Sequence, residues 1–102
     1  MAKRDLELIA AGCSALGHPM RLGLLYALRT RGESSPVELA NLFDAETRPV
    51  GAVAYHVRRL LKEGLIELTR TRPVRGALEH HYQVTPRGCA WLQTLDSLDI
   101  RP

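Results

Sequence analysis

Apolar positions recur at helical spacing through the first two-thirds of the chain and then switch to a strand-like alternation. Leu6, Ile9, Cys13 and Leu16 predict a helix over 4–16, which Gly17 ends. Pro19 opens a second helix, and Met20, Leu22, Leu24, Leu25 and Leu28 give it a broad apolar face before the stop at Gly32. Ser35, Pro36 and Glu38 form a capping-box signature for a short helix that runs from 36 to about Phe43. The polar turn "DAETRP" follows. Val50, Val53, Ala54, Val57, Leu60 and Leu61 then mark the inner stripe of a helix over 50–63, closed by Gly64.

Beyond Gly64, "LIELTRT" and "EHHYQV" alternate, and "RPVRGA" between them supplies the proline and glycine of a hairpin connection. "TPRGCAWLQTLDSL" closes the chain as a helix over 86–98, with Thr85 as its cap. The predicted order is α-α-α-α-β-β-α, a mainly α chain with one β-hairpin (α+β). Three helices followed by a two-stranded hairpin predict a winged helix-turn-helix, with the helix pair over 36–63 and the wing over 65–84. At 102 residues the chain is read as one domain, 1–102.

Charge changes this picture, because it is concentrated on two of these elements. The whole chain carries only +3. Residues 48–75 hold seven basic side chains (Arg48, Arg58, Arg59, Lys62, Arg70, Arg72, Arg75) against Glu63 and Glu67, a net +5, so the remainder is net negative. A run such as "RRLLKEG" is by itself an ordinary solvated helix face. Its coincidence with the second helix of the pair and with the wing points to a polyanion-binding surface. In a helix-turn-helix that second helix enters the major groove and its first turns meet base edges. The projecting positions would be Gly51, Ala52, Tyr55, His56 and Arg59, with Arg48 just ahead. Small Gly51 and Ala52 allow close approach, while Tyr55 and His56 can hydrogen-bond to bases or phosphates. Arg58, Arg59 and Lys62 suit flanking phosphates, and Arg72 and Arg75 suit an adjacent minor groove. The expected partner is double-stranded DNA.

The segments "ALGHPMRLGLLYAL", "SPVELANLF", "VAYHVRRLLKEGLIEL" and "RTRPVRGALEHHYQVT" together resemble the ArsR-like winged-helix regulators of bacteria over roughly residues 14–85. They are most similar to the branch with a Tyr-His-Val step in its recognition helix and an "RGA.EH.Y" wing. The resemblance implies a homodimeric transcriptional regulator whose recognition helix is 50–63. The chain departs from that pattern in a longer turn, "DAETRPV", and in Pro49, Ala52 and Ala54, where relatives commonly carry Ser or Thr.

The terminal helices carry Leu6, Ile9, Cys13, Trp91, Leu92, Leu95 and Leu98, more apolar surface than a three-helix core is expected to absorb, and so predict a twofold dimer interface. Such a dimer presents two recognition helices about one turn of DNA apart, which calls for an inverted-repeat operator and a repressor-type function. Two alternatives remain: a winged helix that serves only as a protein-interaction module, and a regulator gated by a thiol or a ligand. Cys13 and Cys89 form no CxxC pair, and His80 and His81 point to opposite faces of one strand, so neither a metal site nor a cofactor is expected. No nucleophile–base set is readable and no enzyme activity is expected. No segment approaches the roughly 18 apolar residues of a membrane span, and Asp5 and Glu7 interrupt any leader-like start, so the expected location is cytoplasmic.

Overall fold

The computed structural model describes residues 19–42 and 50–97. They form the helices α1 (Pro19–Arg31), α2 (Pro36–Ala40) and α3 (Val50–Lys62), the strands β1 (Ile66–Val74) and β2 (Ala77–Val84), and the helix α4 (Pro86–Ser97). This is the winged helix-turn-helix expected from the pattern. The helix anticipated over 4–16 lies outside the described residues, as do Phe43 and Leu98.

The helix ends are set by local chemistry legible in the sequence. Gly32 has φ 85° and its N–H bonds to the Leu28 carbonyl at 2.9 Å, the single-bond left-handed cap that only glycine adopts without strain. Gly64 (φ 74°) closes α3 differently: its N–H reaches Leu61 O, and Leu65 N reaches Leu60 O, the paired bonds of a Schellman motif. At the start of α2 the Ser35 hydroxyl accepts from Glu38 N while the Glu38 carboxylate accepts from Ser35 N, both at 3.2 Å, a complete capping box with Pro36 in the first turn. Thr85 caps α4 by accepting from Gly88 N at 3.0 Å. Its hydroxyl also donates to Gly64 O at 2.7 Å, and its N–H to Leu65 O, so one residue ties the start of α4 to the end of α3.

The core is built by Leu24, Leu25 and Leu28 of α1, Leu39 of α2, Val53, Val57 and Leu60 of α3, Leu65 and Ile66 at the entry to the wing, Tyr82, and one face of α4. The strands pair antiparallel, Ile66 opposite Val84 through Val74 opposite Ala77, with a bulge at Thr69 between Leu68 and Arg70. Ser34 and Tyr82 exchange two backbone hydrogen bonds, at 3.0 and 2.9 Å, so the stretch just ahead of α2 lies against β2 like a third, very short strand. Those two bonds fasten the wing to the helix pair.

Four expectations need correction. Trp91, Leu92 and Leu95 are 2%, 0% and 5% exposed within a single chain: they are core residues and are not surface left over for a dimer. Leu61 is 39% exposed, since it stands one position beyond the buried Val53–Val57–Leu60 stripe and rotates away from it. The hairpin connection is also shorter than "RPVRGA". Only Arg75 and Gly76 form the loop, both with positive φ as a mirror-type two-residue turn requires, while Pro73, Val74 and Ala77 belong to the strands. Finally, β1 does not alternate. Beyond buried Ile66 nearly all of it is exposed, because the wing projects beyond the core. Among the described residues no helix is long and apolar enough to cross a membrane.

Candidate nucleic-acid interface

The amphipathic helix α3 sets its Val53–Val57–Leu60 stripe into the core and leaves Gly51, Tyr55, Arg58 and Lys62 exposed along the opposite side, at steps of four, three and four. Ala52 is half-buried at the margin of that stripe. Among the described residues, a Cβ added at Gly51 would meet nothing within 4 Å. Tyr55 is 49% exposed and stands edge-on to the His56 ring, with centroids 5.1 Å apart. These groups can donate and accept hydrogen bonds and carry positive charge, which is the chemistry of a duplex-facing helix.

His56 does not belong to that set. It is 6% exposed and turned inward, where its Nδ1 accepts a hydrogen bond from Arg21 Nε of α1 at 3.0 Å. Arg59 is intermediate: its side chain is half-buried and its Nε is enclosed without a hydrogen-bond partner. Arg48 lies outside the described residues.

The wing contributes Arg72 and Arg75, both exposed. Arg72 donates to Glu79 across the hairpin at 3.0 Å, and Arg75 sits at the tip in a left-handed conformation (φ 50°). Between α3 and the wing runs a groove of about 580 Å³. Its walls are mainly apolar (Val37, Ala54, Val57, Val74, Leu78), and Arg58 from the helix and His80 from the wing both line it. The helix and the wing thus border one shared concave surface.

A second group of polar residues was not foreseen from the sequence. His81, 3% exposed, places Nε2 at 2.7 Å from Glu79 Oε1, and Nδ1 at 3.5 Å from Glu38 Oε1 and 3.9 Å from Glu33 Oε1. The His81 hydrogen bond, with Arg72 nearby, holds the Glu79 carboxyl below its ordinary pKa, and the Arg70 guanidinium does the same for Glu33. The pairing of Glu79 with His81 two residues on was available as a strand-spacing signal. The approach of Glu38, 43 positions away in the chain, was not. Cys89 is a free, half-buried thiol, and Cys13 lies outside the described residues.

Residues 16–69 match a family described as a helix-turn-helix domain. Among solved structures, the chain is similar to one titled a possible transcriptional regulator for arsenical resistance, with 31% identity over 84% of this chain and 81% of that one and a TM-score of 0.59. It also resembles a cysteine-to-serine mutant of MarR from E. coli complexed with operator DNA, with 23% identity, 94% and 65% coverage, and a TM-score of 0.62; this second likeness concerns the fold alone. No curated protein matches the chain.

Proposed function

We propose that this chain, which belongs to the helix-turn-helix domain family, is a DNA-binding transcription regulator of repressor type and of the ArsR-like branch, with α3 as its recognition helix. The observation that carries this reading is the exposed Gly51–Tyr55–Arg58–Lys62 stripe on the second helix of the pair, bordering the same groove as the wing. In this account the first turns of α3 enter the major groove, with Gly51 and Ala52 allowing close approach and Tyr55 reaching base edges. Arg58 and Lys62 take flanking phosphates, and Arg72 and Arg75 extend to the adjacent minor groove. His56 acts from behind as a packing and orienting residue.

The regulator works as a homodimer on an inverted repeat, and the remaining apolar positions for that contact are Leu6, Ile9, Cys13 and Leu98. The solved relative named for transcriptional regulation supports the regulatory reading, and the fold shared with an operator-bound protein supports the DNA-binding geometry. Selection of bound fragments from a genomic library tests the proposal. The expected result is enrichment of one inverted repeat with half-sites about 10 base pairs apart. Weak binding without sequence preference would contradict it.

A further inference from the structure

We propose that His81 Nδ1 and the Glu38 carboxylate, with Glu79 behind the ring, form a site for a divalent transition-metal ion of the zinc type, joining α2 to the wing. Its basis is the placement of one imidazole among three carboxylates. A neutral imidazole has one N–H and one lone pair. The 2.7 Å contact from His81 Nε2 to Glu79 Oε1 assigns the N–H to that side, because a carboxylate there can only accept. The lone pair is then left on Nδ1, which faces further carboxylate oxygens: Glu38 at 3.5 Å and Glu33 at 3.9 Å. A lone pair and carboxylate oxygens repel one another unless a cation lies between them.

The spacing suits a metal ion. Two ligand atoms each about 2.1 Å from zinc at the tetrahedral angle stand about 3.4 Å apart, close to the Nδ1–Glu38 separation. Glu38, Glu79 and His81 each bring one nitrogen or carboxylate oxygen to within 4.8 Å of the others. A ligating histidine that donates its other N–H to a carboxylate is the usual outer-shell arrangement around zinc, because it fixes the tautomer and raises the basicity of the ligating nitrogen. Here Glu79 plays that part. The capping box already fixes Glu38 through Ser35 N, and its side chain is 47% exposed, so water can complete the coordination while His81 stays buried. Glu33 is a further oxygen donor, 3.9 Å from Nδ1 and ion-paired with Arg70. An ion at this position joins the first helix of the pair to β2, beside the Ser34–Tyr82 backbone bonds that tie the stretch ahead of that helix to the same strand.

Calorimetric titration of the full chain with zinc, without nucleic acid, tests this independently of any DNA binding. One ion per chain is expected. Glu38→Gln removes the ligand charge yet keeps the capping box, since a glutamine carbonyl still accepts from Ser35 N. It should weaken zinc binding at least tenfold while leaving the far-ultraviolet circular dichroism unchanged. Glu79→Gln should weaken it by about 10- to 100-fold, as loss of an outer-shell partner does. Should that second variant fail to fold, Glu38→Gln decides alone. Cobalt substitution should give a tetrahedral spectrum lacking sulfur charge-transfer intensity. Three results would each overturn the site: no zinc uptake, equal affinity in Glu38→Gln, or a thiolate signature that places the ion on a cysteine. Nitrogen NMR showing protons on both His81 nitrogens with stoichiometric zinc present would also overturn it, since the cation between ring and carboxylate would then be a proton.

Discussion

Arg21 of α1 donates from Nε to His56 Nδ1 of α3 across 3.0 Å, so the inward side of α3 is held by a guanidinium 35 residues earlier in the chain. That bond orients the face of α3 that carries Tyr55 and Arg58. A hydrogen bond to a charged group contributes about 1.5–3 kcal/mol. Arg21→Ala should therefore lower the unfolding free energy by about that amount, read by urea denaturation. An unchanged midpoint would show that the bond contributes nothing to stability.

Trp91 supplies a second test, because its burial in a single chain separates core from interface. Trp91→Ala should destabilise by about 3–5 kcal/mol, in the range for removing a large buried aromatic. The loss should be the same at low and high protein concentration. A midpoint whose shift depends strongly on concentration would return Trp91 to an intersubunit contact.

Gly88 lies in the first turn of α4, packed against the backbone of Leu65. A Cβ there would stand 2.3 Å from Leu65 O and 2.7 Å from Val84 Cγ1. In an exposed helix Gly→Ala gains about 1 kcal/mol. Here the nearest atom is backbone and cannot rotate aside, so the overpacking cost of about 1–3 kcal/mol prevails. Gly88→Ala should lower the melting temperature; a rise would mean that α4 has room to move.

Arg75 holds a left-handed backbone at the wing tip, which costs a non-glycine residue about 1–2 kcal/mol. Glycine would relieve that strain but lose about 0.5–1 kcal/mol to chain entropy. Arg75→Gly should thus change stability by less than about 1 kcal/mol while weakening DNA binding. If affinity is untouched, the strained arginine at the tip has no part in binding.

How far the sequence could be read depended on how local each signal was. Gly32, Gly64, the Ser35–Glu38 box and Thr85 act within a few residues, and the element order and most boundaries follow from them. His56 was misplaced because its residue type and its position disagree: it is polar, yet Val53, His56, Val57 and Leu60 share one helical stripe, and period prevailed over polarity once Arg21 supplied a partner. Tertiary pairing explains the remainder. Tyr26 and Arg29 of α1 bond Asp96 of α4 at 3.1 and 2.8 Å, a contact between helices far apart in the chain that leaves no local trace in the sequence. Glu38 and His81 meet for the same reason.

The most direct measurement is the salt dependence of affinity for a selected operator fragment, compared between the wild-type chain and Arg58→Ala, Lys62→Ala and Arg75→Ala. If α3 and the wing contact one duplex, each variant should bind more weakly and reduce the slope of log affinity against log salt by about one. Variants of α3 that retain wild-type affinity and an unchanged slope would contradict the account, because the exposed face of that helix would then lie away from DNA.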